Sequence, residues 1–383
     1  MARTWNEQKL AEMRKVGDPV ADAVVSGLFE SGGIEVVNDL MRKLVTNDGI
    51  PSAQLPQSVR DYLESTGQVR PPDRDAVAQG EQLFARLGPE MLAVLGFYGL
   101  PMDYAAGKGV QVLYRTAYLA RRPMRRVLET TQMVVDVLSP GGLSPAGRGV
   151  RAAQKVRLMH AAVRHLIRND PTAPWDSALL GMPINQEDLA GTLMTFAYVV
   201  LAGVERLGLP VSTTEREAYF HCWMAVGRMM GVREDLIPAD VANGRELAWQ
   251  IFNTQGESTP QGKELAKDLI GGYQRLLPGF LSGMPASMMH FFLEKESLTG
   301  RDIAAMLDVP KPDWTLSVTR LAVSLDDFLS KHGIDNPLSS SVAGFIGREL
   351  IKGFLSAERM PGRATFSIPV DLHEQWSTIV QTV

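Results

Sequence analysis

The residues best suited to chemistry lie in VRLMHAAVRHLIRN, residues 156–169, where two histidines and three arginines interrupt an otherwise apolar helical pattern. On a helix, Arg157, His160, Ala161, Arg164 and Arg168 fall along one stripe, because positions three and four apart are neighbours. Val156, Met159, Val163 and Ile167 form the adjoining apolar stripe. Two readings suit this pattern. One is a partly buried helix whose basic face meets solvent or acidic neighbours. The other is an anionic cofactor: a haem offers iron to an imidazole and two propionates to arginines, whose forked guanidinium donates in pairs to carboxylates. Spacing alone leaves both open, because R-x-x-H-x-x-x-R is a weak pattern.

The other histidines are poorer candidates. His165 points about 100° away from Arg164. His221 lies in YFHCWM and His290 in MMHFF, both core-like, while His332 and His373 have polar surroundings. There is no H-E-x-x-H, no histidine pair at zinc spacing, no calcium loop of the D-x-D-x-D-G kind and no G-x-x-x-x-G-K-S/T phosphate loop. No G-x-S-x-G elbow supports serine hydrolysis. Cys222 is the sole cysteine, which excludes an internal disulfide and a thiolate cluster.

These residues must be positioned by helices. Apolar residues recur at three and four through most of the 383 residues, and predict helices at 5–15, 18–30, 33–45, 57–65, 73–86, 89–98, 107–119, 122–138, 150–168, 186–206, 213–230, 239–254, 260–276, 299–307, 313–331 and 338–356. The single strand-like stretch, TFSIPV at 365–370, is weakened by Pro369. Breaks fall at Gly17-Asp18-Pro19, at 67–73 with Pro71-Pro72, at SPGGLSPAGRG (139–149) and in the proline-rich 170–185, where proline removes the helix donor. The pattern predicts one all-α unit over 1–383: an N-terminal helical extension to about residue 70, a core over 71–240 and C-terminal helices over 241–383.

Charge is nearly balanced, with 39 basic and 43 acidic residues, and 45% of the chain is hydrophobic. That supports a large core and gives no sign of a nucleic-acid binder. The longest uncharged apolar run, LAGTLMTFAYVVLAGV at 189–204, is short for a membrane span. It follows Asn185-Gln186-Glu187-Asp188, a helix start, so a core helix is expected and no transmembrane segment. The opening MARTWNEQKLAEMRKVGDP lacks the apolar core of a signal peptide, which points to a cytoplasmic protein. Oligomeric state is open at this level.

Read together, four stretches carry a resemblance. VRLMHAAVR (156–164) resembles the haem-binding helix of the latex clearing protein family, within the wider MpaB/latex-clearing group of haem-dependent oxygenases. PINQEDLAGTLMTF (183–196), the run from Tyr219 through Trp223, Gly227, Met230, Gly231 and Val232 to Pro238, and GDPVADAVV (17–25) resemble that group in the same order. The resemblance covers roughly residues 17–240. It implies a globin-like helical core with additional N- and C-terminal helices, one haem b, and dioxygen as co-substrate. It makes His160 the iron ligand, with Arg157 and Arg164 as cofactor-binding residues beside it. RRVLETTQMVV (125–135) resembles the distal helix, where Arg126 and Thr130 match distal-side residues.

One position departs. Rubber-cleaving members carry a lysine where this chain has Glu129, so a lysine-capped iron is not implied. A small lipophilic, isoprenoid-like substrate fits better than a polymer. If Glu129 lines the distal pocket, a carboxylate there can move protons; the alternative is a surface pair with Arg125 or Arg126. Candidate catalytic residues are therefore Glu129, Arg126 and Thr130. Leu128, Met133, Phe196, Trp223 and Met230 are candidates for an apolar channel or for plain core. Three activities remain: oxygenation, perhaps with C=C cleavage; a haem peroxidase, oxidase or dehydrogenase reaction; or haem-free binding by a helical protein.

Overall fold

The computed structural model describes residues 5–43, 55–67, 73–120, 123–145, 147–277, 279–312, 344 and 346–352. Among them the chain is helical, with a single isolated β-bridge between Ala106 and Gly256. The all-α expectation is met. The stretches 313–331 and 365–370, and much of 338–356, lie outside the described residues.

The helices that matter for the site are α1 (Glu7–Met13), α2 (Pro19–Lys43), α3 (Gln57–Gly67), α4 (Arg74–Tyr104), α5 (Val110–Ala120), α6 (Pro123–Leu138), α7 (Arg148–Arg168), α8 (Gln186–Arg206), α9 (Thr213–Met229), α10 (Val241–Gln255), α11 (Pro260–Leu276) and α12 (Met284–Leu293). Their starts follow from local chemistry. Asn185 caps α8 by accepting from the Asp188 amide, Asp73 caps α4, and Ser212 and Glu215 form a reciprocal capping box on α9.

Helix α4 is the central strut. It packs most extensively on α9, and also on α6 and α8. At Gly80 the α4 backbone passes so close that an added Cβ would lie 2.6 Å from Cys222 Sγ and 2.9 Å from the Ala218 carbonyl oxygen. Both α4 and α8 contain a wide turn with i→i+5 character, at Leu95–Gly99 and Thr195–Val199, and these two turns pack on each other. The apolar windows of α4 and α8 are long enough to cross a membrane, yet 89% and 78% of them is buried inside the protein. They serve as core helices here, as expected for α8.

Two apolar clusters build the molecule. The larger joins α4 with α6 and α8 to α12. The smaller joins α2 and α3 to Leu158, Ala161 and Ala162 on one face of α7. Helix α7 therefore lies between the N-terminal helices and α6, with which it also packs.

Candidate active site around His160

His160 lies in the middle of α7, half-buried, with Nδ1 fully enclosed and no hydrogen-bond partner among the described residues. Burial pushes its pKa down to about 3, the cations of Arg164 and Arg126 push the same way, and Asp18 opposes them. The ring is thus neutral at any ordinary pH and keeps a nitrogen lone pair available. Beside it the apolar stripe of α7 is only partly core: Ile167 is buried, Val156 and Val163 are half-buried, and Met159 is 42% exposed.

The arginines flanking His160 are occupied by this chain's own carboxylates. Arg157 grips Asp18 with two bonds, Nε to Oδ2 at 2.5 Å and Nη2 to Oδ1 at 2.8 Å, and donates from Nη1 to the Met229 carbonyl at 3.2 Å. Burial works against its charge, but the hydrogen-bonded Asp18 outweighs that and holds the guanidinium more firmly charged than usual. The partner expected for Arg157, a cofactor carboxylate, is replaced in the structure by Asp18. Arg164 is almost fully buried and donates from Nε to Asp22 Oδ1 at 2.8 Å and from Nη1 to the Ile184 carbonyl at 2.8 Å. Its Nη2 is buried without a partner among the described residues. Arg164 thus retains a donor for an anion.

The backbone around these pairs is specialised. Ile184, which offers its carbonyl to Arg164, has φ +50, a strained value for a β-branched residue. Gly231 has φ +80, and a Cβ there would lie 2.6 Å from Arg157 Nε and 2.7 Å from Asp18 Oδ2. Gln186 joins the parts: its amide nitrogen donates to the carbonyls of Gly17 and Gly231, and its oxygen accepts from the Arg233 amide. The four stretches 17–25, 156–164, 183–196 and 219–238 therefore meet around α7.

On α6, Arg126 is half-buried and donates to the Leu113 carbonyl at 3.2 Å and to Thr116 Oγ1. Burial pushes its pKa below the ordinary arginine value, with Tyr104 and Glu129 opposing. Thr130 lines an apolar cleft with Leu92, Leu95, Leu100, Tyr273, Leu350 and Ile351. Its neighbour Thr131, rather than Thr130, bonds its own helix, at the Val127 carbonyl. Glu129 is not in the desolvated setting considered from sequence. Its side chain is 55% exposed and pairs with Arg125 at 2.8 Å across one helical turn. Of the channel candidates, Trp223 is buried and stacks on Phe196 at 4.8 Å, while Leu128, Met133 and Met230 pack at the edge of the larger core.

Sequence reasoning missed Asp103 at the C-terminal end of α4. Its Oδ1 accepts from Thr195 Oγ1 at 2.8 Å, at the junction of the two wide turns. Burial pushes its carboxyl up to about 7; the Thr195 bond opposes this and Asp188 adds to it. It also missed the roles of Asp18 and Asp22, although both lie in the resembling stretch 17–25.

Comparison with known proteins agrees with this geometry. Residues 82–328 match the family described as "ER-bound oxygenase mpaB/B'/Rubber oxygenase, catalytic domain". The chain is 29% identical over 259 residues to the rubber oxygenase of Streptomyces sp. (strain K30), covering 67% of this chain and 63% of that protein. Its fold superposes on a latex clearing protein in the closed state with a TM-score of 0.76 at 25% identity, over 93% of this chain and 94% of that one. With helix α7, its imidazole and the stretches 183–196 and 219–238 all inside a match that spans more than half of the chain, the chain belongs to the mpaB/rubber oxygenase catalytic-domain family.

Proposed function

We propose that this protein is a haem b-dependent oxygenase acting with dioxygen on a small apolar unsaturated compound of isoprenoid type. The observation that carries the reading is His160: an imidazole held neutral, with Nδ1 enclosed and without a partner among the described residues, on the helix that resembles the family's haem-binding helix. Among the described residues no three His, Cys, Asp or Glu side chains gather to hold a bare metal ion. A porphyrin would supply its own ring nitrogens and need an imidazole from the protein, which His160 would provide.

A bound haem supplies the redox-active iron that activates dioxygen, chemistry no side chain here provides. The chain's residues do the rest. His160 donates its nitrogen lone pair. Arg164 Nη2 offers a charge-assisted hydrogen bond to a propionate. The apolar surface of Val156, Met159 and Val163 beside the imidazole suits a porphyrin face. Arg126 holds a positive charge on the α6 side, steadied by Leu113 and Thr116. Thr130 presents its hydroxyl at the apolar cleft, where it can orient a substrate or a polar ligand. Glu129 is tied to Arg125 on the exposed side of α6 and is not assigned a chemical step.

Protein purified from cells fed a haem precursor should be red, with a Soret band that His160→Ala abolishes. Colourless wild-type protein, with the variant unchanged, rejects the haem. Incubation of the red protein with a small isoprenoid under labelled dioxygen should place label in the product; unlabelled product rejects oxygenation.

A further inference from the structure

We propose that Asp18 and Asp22 are positioning residues for His160, a role that rests on the haem reading above and lies with residues outside the matched segment 82–328. The two carboxylates stand one helical turn apart at the start of α2. They grip the two arginines that bracket His160 on α7, Arg157 three residues before it and Arg164 four after. A helix held at one point can still rotate and slide. Held at two points on either side of the imidazole, it can do neither, so the ring's direction is set by the N-terminal segment.

Three observations show that the clamp is built rather than incidental. The Asp18–Arg157 pair is buried and bidentate, and Gly231 at φ +80 leaves it the space that any Cβ would fill. Asp22 is bound into the same turn, accepting from the Asp18 amide at 3.2 Å while it holds Arg164. Strained Ile184 turns its carbonyl to Arg164 from a third direction. With Nε and Nη1 so fixed, the unpartnered Nη2 of Arg164 has a set direction too. The clamp therefore orients both groups that the haem reading uses, the imidazole and the free guanidinium nitrogen, as a second layer of contacts orients metal ligands elsewhere.

The test uses the full chain and two readouts. In haem-free protein, the His160 ring is followed by histidine-selective NMR, its signal identified as the one lost in His160→Gln. In parallel, haem is titrated and the ferric spectrum recorded. Asp22→Asn, whose side chain is 31% exposed in the parent, should fold. It should shift or broaden the His160 signal, weaken haem binding roughly tenfold, and alter the ferric spectrum. Asp18→Asn should do the same more strongly; if it fails to fold, Asp22→Asn decides. Gly80→Ala, whose added methyl meets Cys222 and the Ala218 carbonyl and none of the four clamp residues, is the control for lost stability and should leave the His160 signal and the spectrum as in wild type. The proposal is overturned if Asp22→Asn leaves the His160 signal and haem affinity unchanged, or if Gly80→Ala moves them equally. Wild-type protein that takes up no haem rejects the haem reading, and the NMR readout then decides the clamp alone.

Discussion

At the scale of single residues, burial sorts the candidates. His160 and Arg164 are enclosed and each keeps an unpartnered nitrogen, whereas Glu129 is more than half exposed and paired with Arg125. An exposed i,i+4 pair is worth about 0.3–0.5 kcal/mol. Glu129→Gln is accordingly expected to lower stability by no more than about 0.5 kcal/mol and to leave turnover within about twofold, a difference of roughly 0.4 kcal/mol in barrier, as checked by denaturant melts and steady-state rates. His160 stood out in the sequence through the resemblance carried by VRLMHAAVR, since helical spacing alone left two readings open. The partners of Arg157 and Arg164 were not, because a carboxylate 139 or 142 residues away is brought near only by the tertiary fold. The resemblance implied a cofactor for both arginines; Arg157 is held by Asp18 and the Met229 carbonyl, and Arg164 by Asp22 and the Ile184 carbonyl, with Nη2 left over among the described residues.

At the scale of elements, most helices were visible as periodic runs, and the misses have local causes. Periodicity predicted separate helices at 73–86 and 89–98, yet α4 continues to Tyr104. Leu87 leaves helical geometry at φ −119, so the turn has already opened where proline's missing donor would be felt. Periodicity does not predict helix α12, because its Met/Phe-rich segment is apolar almost all round and shows no stripe. The expected helix at 299–307 contracts to Ile303–Met306. The wide turns of α4 and α8 have no sequence signature, so Asp103 could not be placed. The contact of α4 with α9 gives a sharp expectation. Gly80→Ala forces a methyl against Cys222 and the Ala218 carbonyl, and should cost about 1–3 kcal/mol by overpacking, read as a lower denaturant midpoint.

At the scale of the whole molecule, two buried groups shape the pH dependence in opposite senses. His160 titrates near 3 when folded and near its ordinary value of about 6.5 when unfolded. Between those values the unfolded chain binds the extra proton, so haem-free protein loses stability as pH falls through that window. Thermal melts from pH 7 to pH 4 should therefore decline less in His160→Gln than in wild type; equal declines would remove the assigned cause. Asp103 titrates near 7 when folded and near 3.8 when unfolded. The folded chain binds the extra proton in that range, and its contribution is lost as pH rises through about 7. Asp103→Asn should gain melting temperature relative to wild type from pH 5 to pH 8. Because the two effects overlap, each is visible only as a difference between variant and parent.

The knot formed by Gln186, Gly17 and Gly231 also has a consequence for biosynthesis. Its strands of chain are joined across 169 and 45 residues, and Arg233 adds another link across 47. Contacts of such long range close late, since the ends of large loops must first be brought together. A ribosome has to release the chain through Arg233 before the contacts of Gln186 close beside α7. Any group that docks against this knot is therefore received after those residues have emerged, not while α7 alone is exposed.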